Sequence, residues 1–470
     1  MGKKGDNAKK KVVVIGSGLG GAASAALLAK SGFDVTLLES NDFQGGRCAT
    51  LERKGFQYDF GVHMFSRGDS GPHGQVNREL GGNLRWVKKD PPCHVMGKME
   101  FDFPLDIKPL KRQIYLARQL KIGPANLPGV FFLFRSLLNP RSVEQYDNIT
   151  LRDYVSRFTS DDNVHLFLNC LCQLYFAMSY KESSAGEFIW CFTRMFNNAS
   201  FGYPQGGGSA IPGSFLDVFK DSGGSLLYGQ PVHSIVVKNG AAVGVRTAKK
   251  FYPADIVISN AGINRTIDMA GKKNFPGSYT EKAQSYVYSN AYITIKYALS
   301  RPVIPYPVVF YMPDMPGHSV FDYIRDRTVP DDPYIFLPVP SNQDPGLAPR
   351  GQQLVIAGTA APSGASKKLC EAIIDRVDRR VRALFPALEK AIIWKITSVS
   401  EDTSRLTHQG NGACIGLGQV PGQVGEHRPS LETPLKNLWL VGADAGSRGI
   451  GTEMASGSAL NLAAVIRERY

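Results

Sequence analysis

The clearest pattern along the chain is a change of period within its first forty residues. Val12, Val13, Val14 and Ile15 form an unbroken apolar run, the pattern of a strand buried on both faces, and a glycine-rich turn follows. Small residues (Gly21, Ala22, Ala23, Ala25, Ala26) then line a helix, and a second strand ends on Glu39. Residues 12–39 therefore predict a βαβ unit. Further on, YDFGVHMF alternates apolar and polar positions and predicts another strand. From Pro91 to about Ser200 helical spacing takes over, and VHLFLNCLCQLYFAM, apolar nearly all round, predicts a core helix. IPGSFLDVFKDSG predicts a helix, and SLLYGQPVHSIVVKNGAAVGVRTAKK predicts two strands turning at Asn239-Gly240. Ala254 to Ala261 reads as a buried strand. Residues 285–310 and 334–358, rich in Tyr, Val, Ile and Phe, predict a second sheet, and 366–395 a helix. Near the end, Leu438 to Val441 form a strand that runs into Gly442-Ala443-Asp444. A second glycine-rich turn (Gly446, Gly449, Gly451) leads into a small-residue helix from about Thr452 to Arg467.

A chain of 470 residues has room for two or three domains and a substantial core. The net charge of +13 is dispersed, except at Lys3, Lys4, Lys9, Lys10 and Lys11, which read as a solvated, disordered leader over residues 1–11. No aromatic residues interleave that run, so nucleic acid is not an expected partner. The first apolar run is the opening strand of the βαβ unit rather than a secretory signal, and no window approaches 18 uncharged apolar residues. The seven cysteines are odd in number and lack metal-ligand spacing, which points to a reducing compartment and away from zinc or iron–sulfur clusters. The expectation is a cytoplasmic protein, with peripheral attachment to the inner membrane face left open.

Candidate chemistry concentrates at the two glycine turns. Gly16, Gly18 and Gly21 form G-x-G-x-x-G at a strand-to-helix junction, and Glu39 lies about twenty residues beyond Gly18. That combination reads as a dinucleotide site: bare backbone approaches the pyrophosphate at a helix N-terminus, and the acid accepts from a ribose. Gly45-Gly46-Arg47 adds a flexible turn with a guanidinium fork for phosphate or ribityl oxygens. Asp444 is a candidate acceptor for a ribityl hydroxyl. His63 is open to two readings, a strand histidine bonded to backbone or an active-site residue. Residues 108–141 interleave Lys108, Lys111, Arg112, Arg118, Lys121, Arg135 and Arg141 with Leu110, Ile114, Val130, Phe131, Phe132 and Leu137. They read either as a lid packed on the body or as a helical hairpin dipping into an anionic membrane interface. No Ser-His-Asp, Cys-His or paired-carboxylate signature is present.

VIGSGLGG…LLE, QGGRCAT, GFQYDFGVH, YPQGGG, VHSIVVKNGAAVGV, ADIVISNAG and NLWLVGADAGSRGIGTE together resemble the phytoene desaturase-like branch of the flavin amine oxidase superfamily. That branch holds carotenoid desaturases, carotenoid isomerases and retinol saturases. The resemblance covers the N-terminal 65 residues, a block near 203–262 and the last 65. It implies an α/β fold, with an FAD-binding Rossmann-like domain of three ββα layers and a substrate domain containing a mixed β-sheet and a helical lid. The implied division assigns 12–90, 201–272 and 405–470 to the FAD-binding domain, and 91–200 and 273–404 to the substrate-binding domain.

The same resemblance implies noncovalent FAD. Gly16, Gly18, Leu19, Gly20, Gly21, Glu39 and Ser40 would hold the ADP half, with Val232 against the adenine. Gly45, Gly46, Arg47, Gly61, Val62, His63 and Asn260 would lie along the cofactor. Gly442, Asp444, Gly449, Ile450, Gly451 and Thr452 would hold the pyrophosphate, the ribityl chain and the isoalloxazine edge. Desaturases usually carry Pro-Thr or a similar pair where this chain has Val62-His63, so His63 is the candidate catalytic residue. The implied activity adds or removes hydrogen on a hydrophobic, isoprenoid or polyene substrate. Two alternatives stand beside it. One is an amine oxidase, with an aromatic cage drawn from Tyr288, Tyr292, Tyr297, Tyr306 and Tyr311 and Cys414 as a point of covalent flavin attachment. The other is a non-catalytic prenyl-binding escort protein.

Overall fold

The first strand, Lys11–Ile15, decides the layering, because its side chains alternate between two separate cores. In the computed structural model, which describes residues 9–61, 64–140, 142–197, 201–408, 412–446 and 448–470, Val12 and Val14 face one core and Val13 and Ile15 the other. The strand begins at Lys11, so the structured chain reaches into the basic stretch expected to be leader. It sits centrally in a five-stranded parallel sheet whose spatial order is Leu438–Leu440, Ile256–Ser259, Lys11–Ile15, Asp34–Leu38, Ser225–Leu227. On one face pack the helices Leu19–Lys30, Ala210–Asp221 and Gly451–Arg469, and on the other a three-stranded antiparallel sheet, Val232–Lys238, Ala241–Thr247 and Phe251–Pro253. This is the three-layer ββα arrangement, and it gathers strands from three separated stretches of chain. Because all five strands run parallel, their carboxyl ends open at one edge, where ligands of such sheets collect.

The antiparallel layer turns at Asn239-Gly240, where both residues have positive φ, +50° and +73°. Those are the dihedral signs of a type I′ turn, whose twist matches that of paired strands.

A second sheet of seven strands is mixed. Its order is Ile392–Ser398, Ala291–Leu299, Gln353–Ala361, Ile335–Pro338, Val308–Met312, Cys93–Gly97, Phe101–Phe103, and only the Val308–Met312 and Cys93–Gly97 pair is parallel. Helices Leu110–Gln119, Leu127–Leu138, Leu151–Val155, Asp162–Phe176, Ala185–Asn197 and Lys367–Leu384 share its core. The Asp162–Phe176 helix starts where the Asp161 carboxylate accepts from the Asn163 and Val164 N–H groups, and it is buried on nearly every side. Lys367–Leu384 ends at Leu384, short of the expected 395, because Phe385-Pro386 breaks the pattern and a short 3₁₀ segment hands over to the Ile392–Ser398 edge strand.

Gly240→Ala places a Cβ on a left-handed residue with open space around it, so backbone strain is the only cost. It should lower stability by about 1 kcal/mol in denaturant titrations and leave ligand binding unchanged.

Candidate active site

At the carboxyl edge of the parallel sheet lies a cavity of about 490 Å³. Its floor is the first glycine turn. Gly16 has φ +89° and its N–H donates to the Leu38 carbonyl, binding the turn to the second strand. Side chains are excluded here by contact. A Cβ on Gly21 would lie 1.9 Å from the Gly16 carbonyl oxygen, one on Gly20 2.8 Å from the Gly442 nitrogen, and one on Gly18 2.8 Å from Asn260 Nδ2. The first two obstacles are backbone; the third is the end of a flexible side chain. Asn260 Nδ2 in turn donates to the Gly16 carbonyl at 3.5 Å.

Glu39 is buried at the end of the second strand and fastens the same turn. Its Oε2 accepts from the Ser17 N–H and hydroxyl, each at 2.7 Å. Its Oε1 accepts from the Asn41 N–H at 2.9 Å, Asn41 Nδ2 at 3.0 Å and the Ser40 hydroxyl at 3.1 Å. Gly45 and Gly46, both at positive φ, carry the chain past Gly18 to Arg47. Burial lowers the Arg47 guanidinium pKa, and the nearby Asp444 carboxylate opposes that shift.

The opposite wall is the second glycine turn. The Gly442 N–H donates to the Ser458 hydroxyl at 3.0 Å. Asp444 accepts from the Leu417 N–H at 3.2 Å and the Ile263 N–H at 3.3 Å, so it pins two neighbouring loops. The Gly451–Arg469 helix starts at the cavity, and Gly451, Thr452 and Glu453 line the wall with its positive dipole end. Behind the turn, Glu187 Oε1 accepts the Gly449 N–H at 2.7 Å. Arg448 spans Glu187 Oε2 at 3.0 Å and both Asp147 oxygens at 3.0 and 2.6 Å. Burial raises the Glu187 pKa, against the pull of Arg428, the Gly449 N–H and Arg448. His73, wholly buried and stacked on Trp86, meets Ser456 Oγ at 2.8 Å and Thr452 Oγ1 at 3.3 Å, bracing the helix start. Burial drops its pKa to about 3, with Arg67 adding to the effect, so it is neutral.

Most residues expected from the sequence converge on this one cavity: Gly16, Gly18, Leu19, Gly20, Glu39, Ser40, Gly45, Gly46, Arg47, Gly61, Val232, Asn260, Gly442, Asp444, Ile450, Gly451 and Thr452. Gly21 and Gly449 stand one layer behind the lining, where they shape the two turns. Val62 and His63 lie outside the described residues. Of the five tyrosines considered for an aromatic cage, Tyr292 reaches the cavity. Tyr288 receives a hydrogen bond from Asn264, Tyr297 donates to Asp378, Tyr306 stacks on His94 and Tyr311 donates to Asp332. Cys414 lines the cavity, with its thiol pushed up to about 12 by burial against the opposing charge of Arg47, so it is held as the weakly nucleophilic thiol.

Several lining residues escaped the sequence reading. Glu453, directly after the glycine turn, was legible by adjacency; it accepts from the Ser66 hydroxyl and the Arg67 N–H. Tyr175, on the predicted core helix, and Phe336, on a predicted strand, carry no motif. Neither do Arg265, Met269 and the Leu406–His408 stretch. Lys296 is fully buried just outside the wall. It donates to Thr294 Oγ1 and Ser398 Oγ at 2.6 Å and to the Phe60 carbonyl at 3.2 Å, beside Gly61, and burial lowers its pKa to about 7. A second cavity of about 90 Å³ adjoins the first. The two share Met64, Leu174, Tyr175 and Phe336, and the second is walled mainly by aromatic and aliphatic side chains, including Phe103, Phe167, Phe196 and Phe310.

The site suits a dinucleotide of the flavin type. Glycines stand where a Cβ would collide, an acid closes the second strand, and an arginine and a helix N-terminus face the middle of the cavity. The family model for flavin-containing amine oxidoreductases matches residues 19–467. The chain belongs to that family. The flavin-containing amine oxidoreductases include relatives that this chain resembles over most of its length. It is 27% identical to the zeta-carotene-forming phytoene desaturase of Myxococcus xanthus, covering 92% of this chain and 89% of that one. It is 24% identical to the all-trans-retinol 13,14-reductase of Danio rerio, covering 92% and 82%. Its fold matches that of an oxidoreductase from Methanosarcina mazei with a TM-score of 0.76 at 22% identity, over 96% of this chain and 99% of that one. The protein is thus an FAD-dependent oxidoreductase of that family. Among the described residues there is no metal-binding cluster and no helix long and apolar enough to cross a membrane.

Two outcomes test this geometry. Gly21→Ala sets a methyl against a backbone carbonyl and should reduce flavin retention by roughly a hundredfold or more, a loss of about 3 kcal/mol. Gly18→Ala meets only the Asn260 amide and should keep more flavin, read from the ratio of flavin to protein absorbance. For His73, the native state refuses a proton that the unfolded chain accepts between pH 6.5 and about 3, so stability falls as pH falls through that window. Between pH 7 and 5 the wild type should therefore lose about 2 kcal/mol more than His73→Gln, measured by denaturant titration at both pH values.

Proposed function

We propose that the enzyme adds hydrogen to, or removes it from, a hydrophobic substrate of the isoprenoid or polyene class. The observation that carries this reading is the apolar second cavity meeting the larger one at Met64, Leu174, Tyr175 and Phe336. A substrate held there by apolar contact alone needs few polar partners, and the lining supplies few. When bound, the flavin supplies hydride transfer at its N5. The chain's own residues position and shield. On this reading the Gly16–Gly21 turn, Glu39, Ser40 and Val232 hold the ADP half noncovalently. Gly45, Gly46, Arg47, Gly61 and Asn260 flank the middle of the cofactor, and Gly442, Asp444 and the Gly449 to Thr452 turn hold the pyrophosphate, the ribityl chain and the isoalloxazine edge. The junction at Met64, Leu174, Tyr175 and Phe336 excludes water from the reacting carbon, which protects a hydride in transit. The same reading divides the chain into an FAD-binding domain (12–90, 201–272, 405–470) and a substrate-binding domain (91–200, 273–404).

The relatives include both a desaturase and a reductase, so the test covers both directions. Under anaerobic conditions, either the oxidised enzyme should be bleached by a saturated or partly saturated isoprenoid, or the photoreduced enzyme should be reoxidised by a polyene. Flavin absorbance reports both. Bleaching by a primary amine, with no response to any isoprenoid in either direction, would establish the amine oxidase reading instead.

A further inference from the structure

The smaller cavity has two ends of different character. One is the junction with the larger cavity at Met64, Leu174, Tyr175 and Phe336. The other is edged by Lys89 and Gln343, which line the smaller cavity and not the larger. Lys89 is exposed and Gln343 half-buried, so this end reaches the surface. The segments that carry them are stitched to one short strand, Tyr203–Pro204, and its continuation. The Gln205 N–H donates to the Arg85 carbonyl at 3.0 Å, and the Gly206 N–H donates to Asp344 Oδ2 at 2.7 Å. The cavity is thus a passage from a polar mouth to the junction.

Between those ends the lining side chains offer a ligand little but carbon and sulfur. The Tyr203 hydroxyl donates to Asp59 and the Tyr175 hydroxyl is turned to Met195, so both present their rings. Burial pushes the Cys93 thiol up to about 12, which keeps it neutral. At the mouth the balance reverses. Neither the Lys89 ammonium nor the Gln343 amide has a hydrogen-bond or ion-pair partner among the described residues. Arg85 and Lys88 are also exposed and without an ion pair among the described residues, so residues 85–90 set three cations against the single carboxylate of Asp90. The adjoining Asp344 is buried, and its two oxygens accept from the Gly206 and Gly346 N–H groups. A free ammonium and a free amide in an excess of positive charge are complementary to an anion. Such an anchor has a use here. A hydrocarbon chain held only by apolar contact can slide, because that attraction has no direction, and a fixed point is needed to bring one chosen bond to the junction.

We propose that Lys89 and Gln343 form a subsite for an anionic head group, so that the substrate is an amphipathic isoprenoid with a terminal carboxylate or phosphate. The inference rests on the isoprenoid reading above and narrows it. The head group stays at the mouth, accepting hydrogen bonds from the ammonium and the amide, while the apolar chain passes Phe103, Phe167 and Phe310 toward the junction. The charge then sets the register, and the bond that reaches the junction is selected by its distance from the head group.

The test compares three matched probes, geranylgeranoic acid, geranylgeranyl phosphate and geranylgeraniol, for binding to the purified, flavin-loaded full chain. Perturbation of the oxidised flavin spectrum and the shift in melting temperature both report binding. At least one of the two anions should bind about tenfold tighter than the alcohol, a preference that shrinks as salt is raised. Which anion is favoured tells a carboxylate head from a phosphate head. Lys89→Met should erase the preference, weakening the anion far more than the alcohol, and Lys89→Arg should keep most of it. Gln343→Leu should reduce it about threefold. A wild-type ratio of flavin to protein absorbance establishes that the variants are folded. Anions that bind no tighter than the alcohol, or a preference that survives Lys89→Met, overturn the head-group subsite, and binding of the alcohol in that case leaves the isoprenoid reading standing. Failure of all three probes to bind overturns both together.

Discussion

Three strand ends have to meet with little more than the Asn260 amide between them. The Gly16–Gly21 turn, Asn260 and Gly442 approach so closely that a methyl at Gly20 or Gly21 would strike backbone. These positions belong to three distant stretches of chain, and the parallel sheet brings them together. The close approach leaves a trough lined by peptide groups, and such a trough admits a charged diphosphate that a conventional side-chain surface would hold at a greater distance. Glu39 makes that trough rigid: two hydrogen bonds from Ser17 tie the first turn to the end of the second strand, and three from Ser40 and Asn41 fix the carboxylate. Everything downstream, from the placement of Arg47 to the angle at which the last helix enters the cavity, depends on that spacing.

Sequence reading succeeded where local chemistry is restrictive. A buried parallel strand must be continuously apolar, a turn that meets backbone must be glycine, and a type I′ turn favours Asn-Gly, so these segments announce themselves. The last helix was legible for the same reason, to within two residues at either end. It failed where the constraint is tertiary. Tyr175 reads as one more apolar residue on a core helix, and nothing local reveals that it faces the meeting of two cavities. Lys296 alternates normally within its strand, yet its amine is enclosed by Thr294, Ser398 and the Phe60 carbonyl. The tyrosine-rich stretches invited a cage, but four of the five rings are engaged elsewhere, Tyr288 and Tyr306 in loops and Tyr297 and Tyr311 on strands.

The two cavities divide the chemical labour. The larger one is edged by peptide N–H groups, an arginine and acids, and is suited to a polar cofactor with many oxygens. The smaller one is almost wholly hydrocarbon and aromatic. Met64, Leu174, Tyr175 and Phe336 belong to both, so the frontier between a polar and an apolar ligand is only one side chain thick. Tyr175 suits that boundary: burial raises its phenol pKa well above the ordinary value, so the ring stays neutral beside hydrocarbon, and its hydroxyl is turned to the thioether of Met195.

Glu187 and Asp147 come from the helical region, whereas Arg448 and the Gly449 N–H belong to the turn before the final helix. These buried ionic contacts make the two regions share one energy well. Whatever stabilises the turn is felt by helices that have no contact with the cofactor cavity, and loosening those helices relaxes the turn. Order in the glycine turn is thereby coupled to order in the helical region, and neither loosens without the other.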